Sequence, residues 1–363
     1  MMDVAVIGAG PAGCATAIAL AAGGRQVLVL DRHVEARECV CGEFLGADAA
    51  RSLARLGLDL PALGALPLGG MRLGAGRREA GVALPFAAWS LPRRDLDDAL
   101  RARAAAAGVV LRCGAPVQAA EWRGGVWRLR QGGREIVARR VVLATGKHAM
   151  RGHPRIGAGV GALGLKLHLR GVALPAEIAL LPFEGGYAGL QPRPGGGANL
   201  CVVITNATQS AAGDIRTPAR DSAALLALVA GGSVVAARLL AGAVAEWDRP
   251  LAIGAVPYGF RHQDRDGPPG LYRVGDQIAV IPSCAGEGVA MALGSGLAAA
   301  GAILAEEDAA RFHAAWQARI RGAMLWGGAA GGLLGTAPGF VAAVSAHLPE
   351  VARLIARRTR LSA

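Results

Sequence analysis

The residues near the amino terminus whose spacing carries chemistry are glycines. Gly8-Ala9-Gly10-Pro11-Ala12-Gly13 follows directly on the apolar run Val4-Ala5-Val6-Ile7 and opens a small-residue stretch, Cys14 to Ala22, of helical character. A strand that passes through such a loop into a helix sets free N–H groups and the positive end of the helix dipole before a phosphate. Gly8 permits the tight turn, Gly10 lets the backbone approach a pyrophosphate, and Gly13 lets the helix pack close to the strand. Gly23-Gly24 ends the helix, and Val27 to Leu30 reads as a second strand. Asp31 closes it, with Arg32 beside it, where a carboxylate accepts from ribose hydroxyls. Residues 4–31 therefore read as a βαβ unit that binds a dinucleotide.

The rest of the chain must position that unit. Its 363 residues suffice for one large domain or two interleaved ones. The 54 glycines follow no period, which excludes collagen-like and repeat architectures. The net charge of +12 comes almost wholly from arginine, Lys147 and Lys166 being the only lysines. It is scattered in short clusters such as Arg77-Arg78, Arg139-Arg140 and Arg357-Arg358, with no basic run interleaved with aromatics. Attraction for anionic cofactors or lipid head groups is expected, and no nucleic-acid partner. Cys39 and Cys41 are too close for ordinary zinc spacing and lack a second pair, so no metal is expected. The first strand begins at once, leaving no room for a signal peptide, and the expected location is cytoplasmic with reduced thiols.

Four further stretches add detail. Arg37 to Leu45 contains Cys41-Gly42-Glu43-Phe44-Leu45. Arg93-Arg94-Asp95-Leu96-Asp97-Asp98-Ala99-Leu100 reads as a helix leading to the strand Val109-Val110-Leu111. The buried-type strand Val141-Val142-Leu143 runs into Ala144-Thr145-Gly146. Leu271 to Val274 is a strand before Gly275-Asp276, and Gly286-Glu287-Gly288 opens a long small-residue helix, Val289 to Leu304. On these motifs the chain resembles the flavoproteins related to p-hydroxybenzoate hydroxylase and geranylgeranyl reductase.

The resemblance implies FAD. It implies that Arg37, Cys41 and Gly42 lie near the cofactor, that Arg93 belongs to the segment supporting it, and that Thr145 and Gly146 flank the nucleotide. It implies that Asp276, after Gly275, contacts the ribityl chain. The amides from Gly286, Glu287 and Gly288 would face the O2 and N1 region of the isoalloxazine. The chain departs from the family pattern between Asp276 and Gly286, where proline, here Pro282, comes one residue early. No second glycine fingerprint appears, so NAD(P)H is expected only as a transient donor. Trp122 and Trp127 lack the halogenase W-x-W-x-I-P spacing.

The expected fold is α/β: a Rossmann-like, glutathione-reductase-like FAD-binding domain (1–75, 90–150 and 265–310) interleaved with an antiparallel β-sheet substrate domain (76–89 and 151–264). An apolar helical C-terminal region (311–363) follows. In the sheet domain Leu163 to Arg170 alternates, Ile178 to Leu181 is a short strand, and Tyr187 to Gln191 pairs with Asn199 to Ile204 as a hairpin. Leu225 to Leu240 reads as two helices split at Gly231-Gly232. Candidate polar groups near a substrate are Lys147, His148, Lys166, His168, Tyr187, Gln191 and Asn199, each equally placed as a surface or sheet-bonding residue; Lys147, His148 and Tyr187 are the candidate catalytic groups. Residues 322–346 carry no charge and are followed by Arg353, Arg357, Arg358 and Arg360. Pro338 and the dense glycines favour a docked helical pair over a membrane span, with possible peripheral membrane contact. The leading expectation is an NAD(P)H-dependent FAD monooxygenase acting on an aromatic or polyketide-like lipophilic molecule. The alternatives are a reductase of an isoprenoid or other lipid double bond, and a non-catalytic flavin-binding protein.

Overall fold

The computed structural model of the chain describes residues 1–159, 161–205, 217–263 and 267–361. The elements run β1 (Met2–Ile7), α1 (Pro11–Ala22), β2 (Val27–Asp31), β3 (Phe44–Leu45), α2 (Ala47–Arg55), β4 (Leu66–Ala75), β5 (Arg78–Ser90) and α3 (Arg93–Ala106). Then come β6 (Val110–Cys113), β7 (Val117–Arg123), β8 (Val126–Gln131), β9 (Arg134–Leu143), β10 (Ala162–Arg170), β11 (Glu177–Phe183), β12 (Gly186–Pro192) and β13 (Ala198–Ile204). The chain continues with α4 (Ser222–Gly231), α5 (Val234–Leu239), β14 (Val244–Ala245), β15 (Leu251–Val256), β16 (Leu271–Arg273) and α6 (Gly288–Leu304). It ends in α7 (Ala309–Thr336), α8 (Pro338–His347) and α9 (Pro349–Arg358).

Two sheets result. The first has the order β6-β2-β1-β9-β8-β7, with β16 pairing β9. The contacts β6–β2, β2–β1, β1–β9 and β9–β16 are parallel, and β7–β8–β9 is an antiparallel meander. Val4, Ala5, Val6 and Ile7 are all buried because helices and meander cover both faces of a parallel sheet, which is why β1 reads as an unbroken apolar run. Helix α3 buries Leu96, Leu100 and Ala104, a stripe at helical spacing.

The second sheet has the order β14-β10-β13-β12-β11-β4-β5-β3, with β15 pairing β10. It is antiparallel except at β4/β11, where Gly70 faces Glu177 in a parallel pair. The sequence division at residue 75 is corrected here: β3 and β4 belong to this sheet, because β4 turns directly into β5 and pairs along its length. The division at 264/265 lies outside the described residues. The hairpin β12–β13 and the two helices α4 and α5 form as the sequence predicts.

Helix α7 is broken from α8 by a 112° bend at Pro338, and among the described residues no single helix is long and apolar enough to cross a membrane. A third helix, α9, extends the expected pair.

The closest packing in the fold lies where β1 enters α1. A Cβ on Gly13 would stand 1.9 Å from the Gly8 carbonyl oxygen. Gly13→Ala should therefore destabilise the protein by about 1–3 kcal/mol, the usual cost of overpacking; thermal unfolding of the cofactor-free protein measures it.

Candidate FAD site and the cavity beyond it

Gly10 caps α1 with no side-chain hydrogen bond, and no acid sits in the first helical turn, so the turn's amides are free to face an anion. Asp31 shapes the same site. Its Oδ2 accepts from the Ala9 amide at 2.8 Å and its Oδ1 from the His33 amide at 2.8 Å, which holds the carboxylate at the mouth of the glycine loop. Opposite lie the loops after β9 and β16. Thr145 donates to the His148 carbonyl at 2.6 Å, and Gln277 donates to the Gly146 carbonyl at 2.6 Å. Gly275 donates its amide to Ser295 of α6 at 2.8 Å. The N-terminus of α6 has no side-chain cap. A Cβ built on Gly10, Gly42, Gly146 or Gly288 would meet nothing within 4 Å, so these positions line an open cradle. Two uncapped helix ends, an acid at the end of β2 and a second acid, Asp276, along the same trough fit an ADP group joined to a ribityl chain.

Several expected contacts are engaged elsewhere. Arg37 and Arg32 are exposed, each within hydrogen-bond distance of the His33 ring. The Arg93 guanidinium is buried on Asp97 at 2.9 Å, while its amide donates to Glu43 at 3.0 Å; it anchors the cradle's scaffold. The Glu287 side chain turns away from the cradle and pairs with Arg360 from the chain's end. Burial pushes the Glu287 carboxyl up to about 8, against the pull of Arg360. His148 is exposed and stands outside the cavity that Lys147 and Tyr187 both line.

Lys166, His168, Gln191 and Asn199 are all buried, so the surface alternative is overturned for the four. The alternation of β10 is real, yet its polar face is covered by the loop 38–43. Lys166 donates to Glu38 and Glu43, each at 2.6 Å. Asn199 donates to the carbonyls of Cys41 (3.2 Å) and Gly42 (2.9 Å), and Gln191 to Ser90 at 2.8 Å. Burial raises the Glu43 carboxyl, but His168 and the Lys166 ammonium together hold it below its usual range. Glu38, Glu43 and His168 cluster as metal ligands would. The ammonium of Lys166 already supplies the cation there. Glu43 itself sits at φ 60°, a left-handed conformation uncommon for a side-chain-bearing residue, and this network holds it there.

From Cys41, Lys147, Asp276 and Gly288 a cavity of about 250 Å³ runs along the second sheet toward the C-terminal helices. Its walls are aliphatic for most of their length, including Met71, Leu73, Leu180, Val203, Leu334 and Ile355. Sequence reasoning missed Tyr258, Ser283 and Arg360, which also line it. The displaced Pro282 was the available signal for Ser283.

Fold and cradle together are those of FAD-binding flavoproteins. Residues 2–151 match the pyridine nucleotide-disulphide oxidoreductase family. The menaquinone reductase of Mycolicibacterium smegmatis is 34% identical over 120 residues, 32% of this chain and 29% of that protein, so the match spans under a third of its length. A flavin-dependent brominase is similar in fold (TM-score 0.78, 21% identity, 98% of this chain and 93% of that one). So is a geranylgeranyl bacteriochlorophyll reductase-like protein from Thermoplasma acidophilum (TM-score 0.75, 18% identity, 98% and 96%).

Two measurements probe the site. Gly10→Ala should weaken FAD binding at least about tenfold while leaving the unfolding of the cofactor-free protein within ~0.5 kcal/mol, since the added methyl enters the cradle and no protein atom. Calorimetric FAD titration and thermal unfolding separate the two. Glu287 has a folded pKa above its unfolded one, so its contribution is fully present at low pH and is lost as pH rises toward 8. Between pH 5 and 8.5 wild type should therefore lose about 1 kcal/mol or more relative to Glu287→Gln, read from denaturant unfolding at each pH.

Proposed function

We propose that the protein is an FAD-dependent reductase that saturates a carbon–carbon double bond in a chain-bearing lipophilic substrate. The observation that carries this reading is the aliphatic cavity leading from the cradle to the C-terminal helices. Bound in the cradle, FAD would supply two-electron hydride chemistry. The chain's own residues bind the substrate tail, exclude water and keep proton donors protonated. Burial pushes Tyr258 up to about 12 and Cys284 up to about 11. No histidine lines the cavity among its described residues, and of its two carboxylates Glu43 is held by Lys166 while Asp276 stands at the cradle end. The likeness of about a third of the chain to a menaquinone reductase supports a reductase, with NAD(P)H or another carrier as donor.

Hydroxylation of an aromatic or polyketide-like molecule, with NAD(P)H and oxygen, is the second reading. The apolar lining of the cavity favours it, since such chemistry also requires exclusion of water. For either reaction the substrate would arrive from a lipid surface. Leu325, Phe340, Leu348 and Leu354 are exposed large apolar residues on or beside α7–α9, close in sequence to Arg353, Arg357 and Arg358. This would bring a cytoplasmic protein into peripheral membrane contact.

The test uses the purified yellow holoprotein, reduced with NADPH or dithionite, and a polyprenyl alcohol or prenylated quinone. Mass spectrometry should show a product that has gained two hydrogen atoms under anaerobic conditions. Incorporation of an atom from labelled dioxygen would replace this reading with the hydroxylase. No product from either substrate class would favour a non-catalytic flavin-binding protein.

A further inference from the structure

The cavity wall holds one polar cluster that neither the cradle nor the Lys166 network uses. Tyr187 comes from β12, Ser283 and Cys284 from the turn before α6, and Tyr258 from the loop after β15. Tyr187 Oη and Ser283 Oγ are 2.7 Å apart, and the Cys284 amide donates to Tyr187 Oη at 3.2 Å. Tyr258 lines the same wall, near the charge of Lys147. The surroundings are otherwise apolar, with Leu73, Val203, Leu334, Leu180 and Val341 packed about the two tyrosines.

Counting donors shows what the cluster leaves over. Three hydroxyls and one amide offer four protons. The two contacts between them, amide to Tyr187 and Tyr187 with Ser283, consume two. The amide is committed, so the surplus protons belong to hydroxyls. They lie in a wall whose neighbouring side chains are aliphatic. The cluster lines the same cavity as Lys147 and Asp276, which places it at the cradle end and not at the distal apolar end.

We infer that Tyr258, Ser283 and Tyr187 form a subsite for one oxygen acceptor, a ketone or quinone carbonyl, on an otherwise hydrocarbon substrate. The inference rests on the reading of the cavity as a lipid-chain site and adds the head group to it. The carbonyl takes a surplus hydroxyl proton from Tyr258 or Ser283, and the Cys284 amide and Tyr187 polarise Ser283 from behind. The substrate is thereby oriented with its oxygenated end toward the cradle and its tail toward α7–α9. Tyr187 acts through Ser283 as a positioning residue.

The experiment compares two probes with the same tail, a decyl-substituted benzoquinone and decylbenzene, titrated into the oxidised holoprotein and followed by perturbation of its visible flavin spectrum. Wild type should bind the quinone about tenfold more tightly than the hydrocarbon, the scale of one added buried hydrogen bond. Tyr258→Phe and Ser283→Ala should abolish that preference while decylbenzene affinity and FAD content stay at wild-type levels, and Ser283→Thr should restore it. Equal affinity of wild type for both probes, or a preference that survives both variants, overturns the subsite while leaving the cavity reading intact. Failure of either probe to bind wild type overturns the cavity reading and the subsite with it. A variant that loses FAD is replaced by Tyr187→Phe, for which the same loss of preference is expected.

Discussion

The ammonium of Lys166, fully buried between Glu38 and Glu43, is the interaction on which the arrangement of the two sheets depends. It rises from the second sheet and binds carboxylates on the loop that leaves the first. Burying these charges is expensive, and the cost is met only while all partners are present; deleting one member of such a group typically costs about 3–5 kcal/mol. The network therefore acts less as glue than as a specification. Only one register of loop 38–43 satisfies Lys166, Asn199 and the Arg93 amide together. That register sets the Cys41–Gly42 backbone at the junction of cradle and cavity.

A second constraint acts through small residues. Helix α1 must present its free amides at the glycine loop and also pack against α6. A Cβ on Gly296 of α6 would stand 2.4 Å from the Ala12 carbonyl oxygen, which measures how closely the helices approach. The approach brings the uncapped ends of both helices into one trough. Both favour negative charge, one on a pyrophosphate and the other on the ring system of a reduced flavin.

The chain's end closes the cavity on the other side. Arg360 reaches the Glu287 carboxylate and the Ala285 carbonyl, lies 4.5 Å from the Phe86 ring, and is followed by Leu361, whose amide donates to Asp48 at 2.9 Å. These contacts tie α9 to the first domain, so the roof of the cavity is held by the domain that carries the cradle. Glu287 is consequently a roof residue, although its neighbours Gly286 and Gly288 belong to the cradle.

By itself the sequence determined whatever depends on local geometry. Gly8 turns the chain at φ 111°, Gly13 packs on the Gly8 backbone, Gly10 leaves the cradle open, and Asp31 ends β2 where it meets the loop it hydrogen-bonds. Such constraints act at short range and leave fixed spacings. The hairpin at β12–β13 and the bend at Pro338 are legible for the same reason. Only the tertiary structure decided the fates of Lys166, His168, Asn199 and Glu287, because each is paired with a residue tens to hundreds of positions away. Strand alternation shows that Lys166 and His168 share a face. It is silent on whether that face meets water or a loop from another domain. The Tyr187–Ser283–Tyr258 cluster was hidden most completely, since three segments without a common pattern converge on it and a hydroxyl's role depends on which neighbours consume its proton.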